Sequence, residues 1–486
     1  MKIGKYSGYY EPLSNNDMQA IHSASMQVLE RAGFQVDNQK ALELFRDKGA
    51  QVDFVNKLVR VDEGWVMQYL KQAPSRIILH GRDERNTLVV EANRVYFGTG
   101  GTALNIYDRH TGVRRQTNAG DIADIARLTD ALPYLDWYCL PVYPNEHSKE
   151  EADLVRFYHG LKNTGKHIMG GIYGSHEGAK DVIRLAQMIA GGEQELREKP
   201  LISVICSTIS PLQLETRYVD FIFDLAEAGI PVATSCAPIA GATAPITLAG
   251  TLVQINAEAI CGILLTQVVK AGSPVFYSTV PTTANMQTMD FLFGPVENGI
   301  MNAACAQMAA YYNLPMYSTG GVTESKQLDI QNGFEKCMNN LLPAMAGGQL
   351  IHNAAGLIDS SMAVAYEQYV IDDEIIGMAH RVLQGIRVNE DTLAVDEICA
   401  AGPGGNYLAS EHTVRHMRSE LYMPRVSIRS NHGAWQRDGS HSAVERARRI
   451  ANEIMDQHSA MPLADGLEEE IFSFYPVLKE AAGKIN

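Results

Sequence analysis

The chain has 486 residues, of which 46% are hydrophobic and 20% are charged, a composition typical of a soluble globular enzyme. Its length exceeds that of a usual single domain, but it suits a barrel of about 250 residues with additions at both ends. The formal net charge of −15 disfavours a nucleic-acid partner, because phosphate binding requires clustered lysine and arginine side chains.

The first 94 residues are predicted to form a helical extension that ends in a small hairpin. Asn15, Asn16 and Asp17 are residue types that cap helices, and an apolar helical pattern follows them to about Arg31. The predicted elements are helices at about 15–31, 38–48 and 63–71 and short strands at 76–79 and 88–90. The opening residues lack the apolar stretch of a signal peptide, so we do not expect export.

A regular alternation of short apolar strands and helices begins at Val95. The candidate strands are 95–98, 135–142, 167–173, 201–208, 231–238, 274–280, 315–319 and 350–354. The candidate helices are 119–132, 149–163, 177–190, 217–228, 248–271, 296–312, 329–346 and 361–383. This α/β pattern predicts a (β/α)8 TIM-type barrel over residues 95–383. An open doubly wound sheet is the alternative, but neither Gly98–Gly101 nor Gly402–Gly405 matches a phosphate-binding glycine motif.

Residues 384–486 are predicted to be a C-terminal extension that packs on the barrel, at its mouth. A short helix is expected at 395–401 and a glycine-rich turn at 402–405. Histidine and arginine side chains follow at 410–418, and a longer helix is expected near 442–458. The segment is too short for us to expect an independent cofactor domain.

The cysteines and the apolar segments indicate a cytoplasmic protein. Seven cysteines are scattered without a CxxC pair, which is typical of free thiols in a reducing compartment. The most apolar predicted helix, 248–271, is interrupted by Gln254, Glu258 and Gln267. We therefore expect it to fall short of the roughly 18 apolar residues that a membrane span needs.

Aromatic residues are concentrated on the predicted strands and directly after them. The candidates for lining a substrate pocket are Tyr96, Tyr138, Tyr143, Tyr173, Tyr277 and Tyr317. Aromatic faces around a dry cavity bind quaternary ammonium groups, each contributing about 0.5–2 kcal/mol. Adjacent strand residues face opposite sides, so Tyr96 and Phe97 cannot both point inward, and the same holds for Phe276 and Tyr277. For each ring, packing between strand and helix is the competing interpretation.

Polar side chains near the strand ends are candidates for contacting a charged substrate. Glu324 is the first choice for a catalytic and substrate-binding role, because it closely follows a Gly-Gly break and its charge would attract a buried cation. A helix-capping role for Glu324 or Asp329 is the alternative. Asp359 is a second carboxylate candidate. His352 is placed to contact a substrate carboxylate, although a hydrogen-bonded core histidine is an equally open interpretation.

Metal catalysis has little support in the sequence. There is no HExxH motif, no evident His/Cys ligand pair and no Asp-rich magnesium loop. Cys206 and Cys236 lie on neighbouring predicted strands, but no third ligand accompanies them. We therefore expect no metal ligands and no cofactor bound to this chain.

Several sequence patches between residues 320 and 372 resemble those of one family. They are Gly320-Gly321-Val322-Thr323-Glu324-Ser325-Lys326, Gly333-Phe334-Glu335-Lys336, Ala355-Gly356-Leu357 and Tyr366-Glu367-Gln368-Tyr369-Val370-Ile371-Asp372. In this order they resemble the trimethylamine methyltransferase family. The similarity is greatest to the branch that lacks pyrrolysine and demethylates quaternary amines such as glycine betaine, and it extends over nearly the whole chain.

The resemblance implies that a methyl group passes from a quaternary amine to the cobalt(I) of a separate corrinoid protein. Glycine betaine, proline betaine, carnitine and butyrobetaine all suit an aromatic pocket. A quaternary amine is already charged and leaves without protonation, so the enzyme must only align the methyl group and exclude water. The expected partners are the small quaternary amine, the cognate corrinoid protein and further copies of the chain in a homo-oligomer.

Two other functions remain open on the sequence alone. A barrel lyase or aldolase would need a strand-end lysine or a metal, and Lys326 is the only well-placed lysine. A betaine-binding protein without catalytic activity would use the same aromatic pocket, but such proteins are usually exported.

Overall fold

The computed structural model describes residues 5–6 and 8–483, and a barrel of eight parallel strands lies at the centre of this range. The strands are β1 (Arg94–Thr99), β2 (Tyr138–Cys139), β3 (Ile168–Gly171), β4 (Ile202–Ile205), β5 (Val232–Ala233), β6 (Val275–Ser278), β7 (Met316–Thr319) and β8 (Leu350–Ala355). They pair in chain order, β8 pairs with β1, and a bridge between Gly98 and Trp137 joins β1 to the start of β2. The predicted barrel is confirmed.

A helix follows each strand and packs on the outside of the barrel. The helices are α1 (Ala119–Ala131), α2 (Lys149–Asn163), α3 (His176–Ala190), α4 (Thr216–Ala228), α5 (Leu248–Val269), α6 (Val296–Tyr311), α7 (Ile330–Ala346) and α8 (Tyr366–Leu383). Local sequence fixes several of their starts: Asn118, Ser148 and Asp329 each accept a backbone N–H of the first turn that follows. A short helix, Glu193–Glu198, lies between α3 and β4.

The strands point alternate side chains into the barrel and toward the helices. Tyr96, Trp137, Phe276 and Tyr317 belong to one buried cluster in the barrel interior. Their chain neighbours Phe97, Tyr138 and Tyr277 belong to the core between strands and helices. This is the two-residue period expected of strands, and it decides which predicted aromatic residues are available to a pocket inside the barrel.

The hairpin of the N-terminal extension closes the end of the barrel at which the strands begin, whereas the strand Phe34–Val36 pairs with Gln213–Leu214 in the loop after β4. The helices of this extension are Asn15–Arg31, Gln39–Asp47 and Glu63–Leu70, its strands Phe34–Val36, Gln51–Asp53 and Leu58–Arg60, and its hairpin Ile77–Leu79 with Leu88–Val90. Ile77, Leu79, Leu88 and Val90 pack into the barrel interior cluster. A ligand must therefore enter from the opposite end, the mouth, where the strands finish.

Short strands at the mouth were not predicted. The loops after β1 and β8 form a four-stranded sheet of Asn105–Tyr107, Arg114–Gln116, Leu357–Ile358 and Ala363–Ala365. The loops after β5 and β6 form a second sheet of Ile239–Ala240, Thr282–Ala284 and Phe291–Leu292. Because residues 363–365 are extended, α8 begins at Tyr366 and not at 361 as predicted.

The C-terminal extension runs along the outside of the barrel. Its helices are Glu390–Leu393, Val395–Ala401, Glu411–Glu420, His432–Arg437, Ala443–Gln457, Leu467–Phe474 and Pro476–Gly483. Glu374 of α8 accepts the backbone N–H groups of 425–427, and His458 contacts Asp130 at the end of α1. Val444 and Arg448 of helix Ala443–Gln457 also line one pocket with the mouth residues Tyr107 and Lys326, so packing at the mouth stays a prediction. The division into 1–94, 95–383 and 384–486 stays a prediction.

Helix α5 is long and apolar enough to cross a membrane, contrary to the expectation from its three polar residues. It is 72% buried inside the protein, as in the core helix of a soluble fold. Its buried Glu258 accepts hydrogen bonds from Ser210 and from the backbone of Leu212, so a polar residue on this helix holds the loop after β4.

Candidate functional site

Three aromatic side chains meet inside the barrel, one from the residue before β2 and the others from β7 and β8. The ring centroids of Trp137 and Tyr317 are 6.3 Å apart, and Tyr317 stacks on His352 at 5.0 Å. Trp137 and Tyr317 are fully buried and His352 nearly so. Trp137 uses space that glycine leaves on β1, because a Cβ atom at Gly98 would lie 2.3 Å from its ring. We call these three residues the inner cluster.

The inner cluster carries several buried polar atoms that have no hydrogen-bond partner in the described part of the chain. They are Trp137 Nε1, Tyr317 OH and both ring nitrogens of His352. An unsatisfied buried polar group costs about 1–3 kcal/mol, and such groups are rare in folded proteins. A ligand with hydrogen-bond acceptors would satisfy the donors among them, so this cluster is the best candidate for the binding site.

The inner cluster is uncharged at neutral pH. Burial lowers the pKa of His352 to about 3, so its imidazole is neutral and offers one donor and one acceptor. Burial also raises the pKa of Tyr317 well above its ordinary value, and the nearby Cys139 and Tyr173 add to this shift. A cationic ligand would therefore meet aromatic faces and neutral dipoles, with no positive charge from His352.

Strand β8 loses regular geometry directly after His352. Asn353 has a φ of 61°, and the register of β8 against β1 shifts between Ile351 and Ala355. A Cβ atom at Gly100 would lie 1.9 Å from Asn353 Oδ1, so glycine is required there. Backbone strain and bulges of this kind collect at functional sites.

A buried arginine on α2 organises the loops after β1, β2 and β3. Arg156 is inaccessible to solvent, and Asp153 balances its charge at 3.2 Å. Arg156 donates to Thr102 Oγ1 and to the backbone carbonyl oxygens of Leu140, Val142 and Gly171. Asp153 accepts the backbone N–H groups of Tyr173 and Gly174, both at 2.7 Å. One ion pair therefore fixes three mouth loops.

A second buried pair, Lys336 on α7 and Asp372 on α8, organises the loops after β7 and β8. Both side chains are inaccessible, and their charged atoms are 3.1 Å apart. Lys336 donates to the carbonyl oxygens of Gly321 and Leu357, and Asp372 accepts the Gly356 N–H at 2.7 Å. Burial raises the pKa of Asp372 to about 6, and Lys336 opposes the shift. The family-like patches thus include this scaffold.

Glu324 links three mouth loops. Its carboxylate accepts the backbone N–H groups of Phe293 and Gly294 and the hydroxyl of Ser360. The capping role belongs to Asp329, which accepts the Asn332 N–H at 3.0 Å. The structure therefore places the Glu324 charge at the mouth but engages both its oxygens with protein donors.

Other predicted site residues lie on the rim of the mouth. Tyr173 hydrogen-bonds Thr102 at 3.1 Å, and the Arg156 guanidinium lies over its ring. Asp359 pairs with Arg114 at 3.0 Å and with the exposed Lys326 at 3.3 Å. Tyr143 is half-buried in the loop after β2, where its carbonyl oxygen accepts the Thr117 hydroxyl.

Three predicted tyrosines lie away from the inner cluster. Tyr138 donates to the carbonyl oxygen of Ile122 on α1, and Tyr277 donates to Asn256 on α5, so both rings face the helices and not the barrel interior. Tyr96 points inward, but its hydroxyl donates to Val89 of the closing hairpin. The expectation that Tyr138 and Tyr277 line a pocket inside the barrel is corrected by these contacts.

Trp137 is the inner-cluster residue that the sequence-based selection omitted. The two-residue period of strands was the available signal. Adjacent residues face opposite sides, so only one of Trp137 and Tyr138 can point into the barrel. Indole rings are also the strongest cation–π partners.

The seven cysteines lie within the described residues and are free thiols. Burial raises the pKa of Cys206 and Cys236 well above the ordinary range, which disfavours the thiolate that zinc requires. Elsewhere in the described chain, Asp391, His412 and His416 have the composition and proximity of metal ligands. They belong to the C-terminal extension, outside the inner cluster.

Comparisons with known proteins agree with the barrel fold. Residues 2–482 match the family described as trimethylamine methyltransferase (MTTB). The chain is 36% identical to trimethylamine methyltransferase MttB of Desulfitobacterium hafniense, over 97% of this chain and 94% of that protein. It is 32% identical to a glycine betaine methyltransferase of the same species, over 90% of both chains. The crystal structure of Methanosarcina barkeri monomethylamine methyltransferase has the same fold, with a TM-score of 0.52, 11% identity and coverage of 94% and 95%.

Proposed function

The chain belongs to the trimethylamine methyltransferase family, whose members are methyltransferases that work with a separate corrinoid protein, and we propose that it demethylates a betaine-type quaternary amine. The observation that carries this proposal is the inner cluster. Its three aromatic rings suit the methyl groups of a quaternary nitrogen, which cannot donate hydrogen bonds. Its unpartnered polar atoms suit an acceptor on the same molecule.

The unpartnered atoms favour a betaine over trimethylamine. A betaine carboxylate would accept hydrogen bonds from Trp137 Nε1, Tyr317 OH and the single N–H of neutral His352. Trimethylamine is protonated at neutral pH and then has no acceptor for them, and a site that leaves buried polar groups unpaired rejects such a ligand strongly. Members of the trimethylamine branch that the chain resembles are expected to contain pyrrolysine in the barrel. This chain has only standard residues, which favours the quaternary-amine branch.

The reaction requires alignment of the substrate and no proton transfer. The C–N bond breaks, its electron pair returns to nitrogen, and a neutral tertiary amine leaves. A corrinoid cobalt(I) supplies the nucleophile when its carrier protein is present. The inner cluster would hold the ammonium, and Glu324 would add negative charge from the rim. Because Trp137 and Tyr317 fill the interior, the methyl acceptor must approach from the mouth.

The mouth loops offer a docking surface for this partner. They expose the apolar side chains Leu104, Ile209, Ile246, Met286, Met289 and Met362. Exposed apolar patches of this kind mark interaction sites. The hairpin closes the opposite end, so the corrinoid protein is the occupant this surface suits best. Homo-oligomer formation and cytoplasmic location stay predictions, to be tested by light scattering and cell fractionation.

A substrate panel tests the proposal. Purified protein, a cobalt(I) corrinoid acceptor and one amine at a time are mixed, and the cobalt absorption spectrum reports methyl transfer. We expect methylation with at least one of glycine betaine, proline betaine, carnitine and butyrobetaine, and none with trimethylamine. Methylation by trimethylamine alone would overturn the quaternary-amine assignment. Binding of a betaine without any transfer to a panel of corrinoid proteins would favour a binding protein.

The lyase or aldolase alternative has less support. Lys326 is exposed and pairs with Asp359 on the rim, so its amine lacks the desolvation that activates a Schiff-base lysine. Lys336 is buried, but it is engaged by Asp372 and two carbonyl oxygens.

A further inference from the structure

Two histidines and an aspartate converge in the C-terminal extension. His412 and His416 are one helical turn apart on helix Glu411–Glu420, and their ring centroids are 4.4 Å apart. Asp391 lies on the short helix Glu390–Leu393 and faces them across the intervening turn. One ligand atom from each of the three residues lies within 4.8 Å of the other two. Two histidines at this spacing present their rings on one helix face.

His416 is buried and turns its ring toward Asp391. The residue is only 8% exposed. Its Nε2 atom lies 3.0 Å from Asp391 Oδ2, a separation that suits an ion pair and is also close to that of two ligands on one tetrahedral ion. His412 Nε2 lies 3.1 Å from the backbone carbonyl oxygen of Asp391, so both rings turn toward the same residue.

We propose that Asp391, His412 and His416 bind a divalent transition-metal ion of the zinc class. Two neutral imidazoles and a carboxylate are the donor set that zinc accepts, at about 2.0–2.2 Å from each ligand atom. Small side-chain rotations would bring the three donors to that distance. Asp391 is exposed, so water fills the remaining position. This site lies outside the barrel and is independent of the proposed methyl transfer, although it revises the expectation of a metal-free chain.

The ion would join two helices that the ion pair of Arg415 with Asp391 also connects. A glycine-rich turn with positive φ at Gly402 and Gly404 separates them, and many apolar side chains around it are exposed. Metal binding therefore stabilises the segment from Asp391 to His416 against local opening.

A simple ion-pair network is the competing explanation. Arg415 lies 3.1 Å from Asp391 Oδ1 and neutralises part of the carboxylate charge. The two explanations differ in the metal binding of Arg415→Ala. A metal site keeps its measurable affinity or binds more tightly when the competing cation is removed, whereas an ion-pair network shows no measurable metal binding and loses its main attraction.

Metal titration of the full-length chain tests the site. Protein stripped with a chelator is titrated with CoCl2, followed by visible absorption, and then with ZnCl2 in competition. We expect one equivalent to bind with d–d bands of a low-symmetry site. His412→Ala, His416→Ala and Asp391→Asn should each weaken binding by more than the roughly 10–100-fold that the loss of an outer-shell partner causes. Limited proteolysis at the 402–405 turn should slow when zinc is added.

The matched control is His432→Ala, which removes an exposed histidine of the same extension. It should bind cobalt as wild type does. Wild-type binding no tighter than that of the His412→Ala/His416→Ala double variant would overturn the site, as would equal loss in the His432 variant. Circular dichroism of every variant verifies folding, and because the readout is metal binding, the result stands whether or not methyl transfer is observed.

Discussion

Trp137, Tyr317 and His352 combine aromatic faces with unpaired polar atoms at one place in the barrel. Fully packed cores seldom contain this combination, because each unpaired group reduces stability. The arrangement is understandable when a ligand supplies the missing acceptor. At the residue scale, the substrate proposal therefore depends on the polar edges of the rings as well as on their faces.

Tyr317→Phe should weaken binding of a betaine by about 1–3 kcal/mol, because it removes a donor to the substrate carboxylate and retains the ring. Its stability should be unchanged or higher, since the hydroxyl has no protein partner. Isothermal titration with the active betaine and thermal denaturation measure the two effects. Tyr277→Phe is the control: its hydroxyl bonds Asn256, so it should lose stability and keep its affinity. Reversed outcomes would move the site to the helical layer.

Glu324→Gln should raise KM for the quaternary amine with a smaller change in kcat, because the charge attracts the substrate cation and that attraction falls as nitrogen becomes neutral. Stability should also fall, by about 1–3 kcal/mol, since the carboxylate accepts hydrogen bonds from Phe293, Gly294 and Ser360. Steady-state kinetics and denaturation separate the effects. Asp329→Asn, a change at the adjacent helix cap, should alter stability alone. A stability loss with wild-type KM would leave Glu324 a structural residue.

At the scale of elements, helices α2, α7 and α8 each place a buried charged side chain beneath the mouth loops. Arg156 and Lys336 donate to backbone carbonyl oxygens that the loops cannot pair among themselves. Loops without regular ladders need such partners when they are buried. The helices therefore position the rim of the site as well as covering the barrel.

Lys336→Met should destabilise the protein by about 3–5 kcal/mol, because Asp372 is left as an uncompensated buried charge. Urea denaturation measures the loss. Lys326→Met removes an exposed cation of the same region and should cost less than about 1 kcal/mol. The double variant Lys336→Met/Asp372→Leu should recover part of the loss. Equal effects of the two lysine variants would contradict the scaffold role of the buried pair.

At the scale of the whole molecule, the two ends of the barrel differ. The hairpin packs apolar residues into the end where strands begin, while the mouth exposes methionine, isoleucine and leucine side chains. Transfer of a methyl group from a substrate inside the barrel to a separate corrinoid protein requires one open end of the barrel. The mouth is that end.

The double variant Met286→Glu/Met289→Glu should raise KM for the corrinoid protein and leave betaine affinity unchanged, because it places charges on the docking surface. Kinetics at varied partner concentration and calorimetry with the betaine measure the two. Ile386→Glu alters an even more exposed apolar residue just beyond the far end of α8 and serves as the control. An equal rise in KM for the control would place docking elsewhere.

Stability should fall as pH drops below about 6.5, because buried histidines stay neutral in the folded state while the unfolded chain binds protons. Burial lowers the pKa of His159 and His352 to about 3 and of His167 to about 4. Asp372 and Asp373, with pKa values raised to about 6, oppose this loss between pH 6 and 3.8, since they bind protons first in the folded state.

The variant His352→Gln isolates one of these groups. The free energy of unfolding of this variant should fall by about 2 kcal/mol less than that of wild type between pH 7.5 and pH 5. Each pH unit below the unfolded-state pKa of about 6.5 costs about 1.36 kcal/mol when the folded histidine stays neutral. Urea denaturation at both pH values measures it. Replacement of the exposed His432 by glutamine should leave the change in the free energy of unfolding between the two pH values as it is in wild type. If both variants reduced that change equally, burial of His352 would not be its cause.

The sequence by itself determined the barrel and most of its element boundaries. Helix α2 was predicted to the residue, and most other barrel helices to within one or two residues, because capping residues such as Ser148 and periodic apolar residues are local signals. The family was also determined by sequence, because ordered patches such as 320–326 and 366–372 resemble it and residues 2–482 match the family as a whole. The mouth strands were missed, because segments of two or three residues are too short to show a period.

Only the tertiary structure decided which side chains form the site. The two-residue period of strands excludes one residue of each adjacent pair from the barrel interior. The choice between Trp137 and Tyr138 depended on how this strand is rotated against Gly98 of β1. The carboxylate of Glu324 and the buried amine of Lys336 found their partners on loops distant in sequence. Chain order records which residues are adjacent, whereas closure of the barrel determines which distant groups meet and which polar atoms remain for a ligand.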